Sequence, residues 1–120
     1  MNNSKHGCRK IEDKAFFERL INERGYKVID VRPPLAYRDG TLMGAPNVAL
    51  RNFLPEFMRV RKETNKIILI GSKDDPSDLE ASLKYAITAP AVDEKMSNIS
   101  YVYYEEMMGE ENTRNKKRGR

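Results

Sequence analysis

Two kinds of apolar pattern alternate along the chain. Short unbroken runs of aliphatic residues occur in KVIDV (27–31) and KIILIG (66–71), and a looser one in ISYVYYEE (99–106). Their length and β-branched content predict strands. Between them, apolar residues recur three and four positions apart: Phe16, Phe17, Leu20 and Ile21; Leu54, Phe57 and Met58, with the stem of Arg61; and Leu79, Leu83 and Ala86 or Ile87. That spacing predicts helices with one inward stripe each. Asp13 suits the N-cap of the first helix and Gly25 its left-handed end. Pro33 and Pro34 stop the KVIDV strand, LAYRDG reads as a helical turn closed at Asp39-Gly40, and Pro55 sits near the first turn of the 50–63 helix. Residues 6–11 and 47–49 predict two further short strands, and APAVDEKMSN a loop.

Strands that alternate with helices imply an α/β domain with a parallel or mainly parallel sheet. In such sheets ligands sit beyond the carboxyl ends of the strands. Asp30, Arg32 and residues 71–76 are therefore expected on one rim.

Composition narrows the class. A chain of 120 residues fits one domain with a modest core. No apolar run approaches the roughly 18 residues of a membrane span, and the first residues lack an apolar signal core. The expectation is an intracellular protein, cytoplasmic or nuclear, without a membrane contact. One cysteine excludes an internal disulfide framework and suits a reducing compartment. With a single His and no CxxC or HExxH, no metal site or other cofactor is expected.

The net charge of +4 is uneven. Residues 111–120 hold five bases (Arg114, Lys116, Lys117, Arg118, Arg120) against Glu111. The remainder is balanced, with seventeen residues of each sign. A neutral body with a basic end suggests an appended electrostatic contact rather than a nucleic-acid-binding fold. The expected organisation is a flexible start at 1–5, a domain over 6–106, and a disordered basic tail over 107–120 that could address the nucleus or touch nucleic acid.

The stretch VIDVRPPLAYRDGTLMGAPNVAL resembles the rhodanese-like family in Asp30, Val31, Arg32, Gly40, Gly44, Ala45 and Asn47, with Thr41 where family members carry a His. The likeness extends over roughly residues 8–106. It implies a three-layer domain with a central, mainly parallel five-stranded sheet flanked by helices. It also implies that the turn after KIILIG corresponds to the active loop. In active members that loop opens with a cysteine that carries a persulfide, and reads C-x-x-G-x-R-S or similar. Aligned by its strand, the loop here is Gly71, Ser72, Lys73, Asp74, Asp75, Pro76 and Ser77, so glycine takes the cysteine position and proline the arginine position.

Catalysis therefore lacks its parts. Glycine supplies no nucleophile, no guanidinium is present to hold an oxyanion bidentately, and Pro76 removes one N–H from a turn that works through its N–H groups. The carboxylates have a local explanation, with Asp75, Pro76, Ser77 and Asp78 as N-cap, N1, N2 and N3 of the next helix. A Mg²⁺ site of Asp74, Asp75 and Asp78 is the alternative. Cys8 is expected as an inert residue of the core or edge, His6 as an end side chain, and Asp30 with Arg32 as a structural pair.

The leading expectation is a non-catalytic protein-interaction module, with a scaffold or regulatory role and a protein partner. A candidate face is Arg51, Phe53, Phe57, Arg59, Arg61 and Lys62 on the third helix. The alternative is a nucleic-acid-associated accessory protein that uses this face and the basic tail. A sulfurtransferase or phosphatase with a non-standard nucleophile stands third.

Overall fold

The computed structural model describes residues 7–88 and 99–108. The chain runs β1 (Arg9–Lys10), α1 (Lys14–Arg24), β2 (Lys27–Asp30), α2 (Pro34–Arg38), a 3₁₀ turn (Leu50–Asn52), α3 (Phe53–Arg61), β3 (Ile67–Gly71), α4 (Ser77–Thr88) and β4 (Ile99–Tyr103). Residues 104–108 are helical. The expected loop over 89–98, the end 1–6 with His6, and residues 109–120 lie outside the described residues.

The first helix forms as its ends dictate. Asp13 accepts a hydrogen bond from the Ala15 N–H at 3.1 Å, and Gly25 turns left-handed at φ 77° while the Tyr26 N–H returns to the Leu20 carbonyl. At α3 the inner stripe differs from the expected one. Phe53, Phe57 and Val60 are buried, and Leu54 and Met58 only flank them. Phe53, Phe57 and Val60 share one helical stripe, and Phe53 stacks on Phe57 at 5.3 Å between ring centroids.

All strand pairs are parallel, in the order β1-β4-β3-β2. Among the described residues the sheet has four strands rather than five. The expected strand over 47–49 contributes one bridge, Asp30 with Asn47. Its ladder is limited to Asp30 N–H on the Pro46 carbonyl and Val48 N–H on the Asp30 carbonyl. The next contact is made by a side chain, because the Asn47 amide donates to the carbonyls of Asp30 and Arg32 at 3.0 and 2.9 Å. The chain then turns into the 3₁₀ segment instead of extending. The last strand also ends early, at Tyr103 rather than residue 106.

Every residue of β3 and β4 is buried, because helices cover both faces. Ile67, Leu69, Ile99 and Tyr101 pack with Phe53, Phe57, Leu79 and Leu83 on one face. Ile68, Ile70 and Val102 pack with Phe17, Leu20 and Met107 on the other. The parallel register sets Asp30 beside Ile70 and Gly71 beside Tyr103. The carboxyl ends of three strands therefore share one rim, as the alternating pattern implied.

Candidate functional site

The rim has two halves. The first grows from the end of β2. Asp30 is fully buried and Arg32 nearly so. Arg32 Nη2 donates to Asp30 Oδ2 at 2.8 Å and Nε to Oδ1 at 3.0 Å, a bidentate pair. The Arg32 N–H and the Thr41 hydroxyl donate to the same carboxylate at 3.0 and 2.6 Å. Arg32 also donates to the Gly40 carbonyl, and its guanidinium lies 3.9 Å from the centre of the Tyr104 ring. Gly40 has φ 135°, a backbone conformation that favours glycine, and a Cβ there would press on the Tyr104 hydroxyl at 3.0 Å. Each charge in this half is paired and bonded inside the fold.

The second half is the turn after β3. A Cβ on Gly71 would meet Leu79 Cβ at 2.5 Å, Cδ2 at 2.6 Å and Cγ at 2.8 Å. The first turn of α4 thus fills the space that a side chain at position 71 would need. The carboxylate of Glu105 lies against the turn. Ser72 Oγ donates to its Oε2 and the Lys73 N–H to its Oε1, both at 2.6 Å. Burial raises the Glu105 pKa, but the Ser72 hydroxyl and the N–H groups of Lys73, Glu105 and Asp74 outweigh it and hold the carboxyl below its usual value. Glu106 lies beside it and pairs with Lys10 Nζ at 3.1 Å and Lys73 Nζ at 3.3 Å.

The expected helix cap at Asp75 is placed differently. The helix begins at Ser77, with the Pro76 carbonyl accepting from the Glu80 N–H. Asp75 stands one residue earlier and accepts from the Ser77 hydroxyl at 3.2 Å. Asp74 and Asp75 are exposed. No group of three or more carboxylate, His or Cys side chains among the described residues is arranged to hold a metal ion.

The other expected site residues scatter. Cys8 is buried in the core on the α3–α4 face, and burial pushes its thiol up to about 11, so thiolate is scarce at neutral pH. Phe53 and Phe57 are wholly buried, which removes the aromatic half of the expected α3 face. The face was drawn from adjacency in sequence, whereas helix rotation decides exposure. Arg51 and Lys62 are exposed, Arg59 is paired with Glu56, and Arg61 lies over the Phe57 ring. The basic residues Arg114, Lys116, Lys117, Arg118 and Arg120 lie outside the described residues.

A family model for the rhodanese-like domain matches residues 13–107, most of the chain. The chain belongs to the rhodanese-like family. No curated protein matches its sequence. The chain's one cysteine, Cys8, lies ahead of the matched rhodanese-like region and away from the turn after β3. Two residues that shape the active-loop region were missed by sequence reasoning, Leu79 and Glu105. Leu79 had been assigned simply to the inner stripe of a helix, and Glu105 to the end of a strand. The usable signal is the parallel register, which brings the turn after β4 beside the turn after β3. No described helix is long and apolar enough to cross a membrane.

Proposed function

We propose that this rhodanese-like domain is non-catalytic and serves as a protein-interaction module. The observation that carries the first half is Leu79 packed against Gly71. Position 71 lacks a nucleophile, and the space for one is taken. The Glu105 carboxylate adds a second obstacle, because it uses the hydroxyl and N–H donors that an incoming anion would need. The scaffold part of the family signature is meanwhile largely kept, from the Asp30–Arg32 pair to Asn47, with Thr41 in the place of the family's His.

For the second half, the support is a surface groove of about 660 Å³ away from the loop. Pro34, Ala49, Leu50, Leu54 and Tyr85 give it an apolar lining, and Arg51 supplies a charge. Exposed Leu35 extends the apolar surface near the start of α2. Mixed apolar and arginine surface of this kind suits protein contacts. The nucleic-acid reading rests on residues outside the described part and on a basic face where Arg59 is paired with Glu56 and Arg61 lies over the Phe57 ring, which leaves Arg51 and Lys62 exposed.

Thiocyanate formation from thiosulfate and cyanide tests the first half. The wild-type protein gives none above buffer. Turnover that survives Cys8→Ser would overturn the non-catalytic reading. For the second half, partners captured from native lysate are compared for wild type, a 109–120 deletion and Tyr85→Asp. A specific partner retained by the deletion and lost with Tyr85→Asp is the expected result. A partner set that depends only on 109–120 and weakens steeply with salt would favour the basic tail instead.

A further inference from the structure

We propose that the 72–74 turn is a carboxylate-binding site whose resident ligand is the chain's own Glu105. The two oxygens of Glu105 go to two different donors, Oε2 to the Ser72 hydroxyl and Oε1 to the Lys73 N–H, each at 2.6 Å. These are short bonds for a charge-assisted acceptor, and the split between two oxygens suits a planar carboxylate. The Asp74 N–H adds to the same field. Ser72 is itself set in place, because its Oγ accepts from the Asp75 N–H at 3.3 Å. The turn therefore presents an arranged set of donors, and a residue distant in sequence fills it.

The tether is held on both sides. Tyr104 stacks on buried Arg32, Glu106 is gripped by Lys10 and Lys73, and Met107 is buried in the core. Glu105 thus enters the turn with its neighbours already fixed, which gives its carboxylate a high effective concentration and excludes free competitors.

The surrounding charge selects the ligand class. Asp74 and Asp75 stand exposed beside the turn, Glu106 lies next to Glu105, and the cations Lys10 and Lys73 are spent on Glu106. A single negative charge is tolerated there, met by the Ser72 hydroxyl and the Lys73 N–H. A doubly charged tetrahedral ion brings twice the charge against the same carboxylates and more oxygens than the donors that hold the two of Glu105 can meet. The site therefore takes a monocarboxylate in preference to sulfate or thiosulfate. This inference rests on the non-catalytic reading of the loop. The two fail separately, because one is read by turnover and the other by binding.

The test uses the full chain with Glu105→Ala, and sodium acetate as the probe at constant ionic strength. Amide chemical shifts of Lys73 and Asp74 are followed with the melting temperature. In the variant, acetate gives saturable shifts at both amides and raises the melting temperature, while the wild type gives neither. Sulfate in place of acetate gives no saturable shift. Equal responses of variant and wild type to acetate, or a variant that saturates with sulfate and not acetate, would overturn the proposal. A wild-type measurement stands apart from the variant's folding. The Glu105 carboxyl and the Lys73 amide titrate together, with one midpoint below 4.5, the ordinary glutamate value. Separate midpoints would overturn the proposal as well.

Discussion

The two halves of the rim lie side by side at the ends of neighbouring parallel strands, yet they treat charge in opposite ways. After β2, Asp30 and Arg32 are buried and satisfy each other, with Thr41, Gly40 and Asn47 closing the remaining bonds. After β3, polar chemistry has given way to packing at Gly71 and to an internal carboxylate at Ser72 and Lys73. The difference separates two jobs that a shared family signature confounds. Asp30, Arg32, Gly40 and Asn47 hold strand ends together, so their presence reports the fold. The turn after β3, which holds neither cysteine nor arginine, is where the proposed loss of catalysis would lie.

If that division is right, the largest effect belongs to the β2 half. Asp30→Ala leaves Arg32 buried without its counter-charge and should destabilise the protein by about 3 to 5 kcal/mol in chemical denaturation. A loss under about 1 kcal/mol would mean that the pair is not holding the rim. Thr41→Val probes the same cluster more gently. It removes one donor to a buried carboxylate, and the expected loss is about 1.5 to 3 kcal/mol.

In the β3 half the same test should report sterics. Gly71→Ala adds one methyl against Leu79 and should cost about 1 to 3 kcal/mol through overpacking. Gly71→Cys should cost at least as much and still yield no thiocyanate. The sharper version is a double-mutant cycle with Leu79→Ala. Leu79→Ala alone opens a cavity and costs about 2 to 5 kcal/mol, but the pair should be less damaging than the sum of the two. Strict additivity would show that Leu79 does not occupy the space at position 71.

The smallest effect is that of Glu105→Gln, and its dependence on pH is the informative part. The folded carboxyl holds its proton less tightly than the unfolded one, whose ordinary value is 4.5. The stability it contributes is full above that value and is lost as pH falls through the lower folded value. Wild type should therefore exceed Glu105→Gln at neutral pH, and the gap should close below about pH 4.5. A gap that stays constant to pH 3 would mean that the turn does not recognise the charge.

Much of the fold was legible because it rests on local rules. The run Ile67–Ile70 is buried on both faces and reads as a strand from its composition alone. Asp13 and Gly25 mark the ends of α1 by their own hydrogen-bonding and conformational preferences. The 47–49 strand was overcounted because its pattern is extended but its partner contact is made by an amide side chain. Where a helix over 50–63 was expected, the chain forms a 3₁₀ turn over 50–52 and α3 over 53–61, and its inner face is the neighbouring helical stripe of Phe53, Phe57 and Val60, which shares only Phe57 with the expected one. That the turn after β3 holds no cysteine or arginine was plain in the sequence. The occupants of that space were not.

By itself the sequence determined the alternation of strands and helices, the shared rim of Asp30, Arg32 and residues 71–76, and the absence of a thiol at position 71. Each depends on residue identity within a few positions, where backbone preference and side-chain chemistry act directly. Only the tertiary structure decided that Leu79 closes on Gly71 and that Glu105 enters the turn at Ser72 and Lys73. The Glu105 contact joins residues more than thirty positions apart, and it exists because the β3–β4 register sets Gly71 against Tyr103. The Leu79 contact is short in sequence but depends on how closely α4 lies on the sheet, which the packing of the whole core fixes.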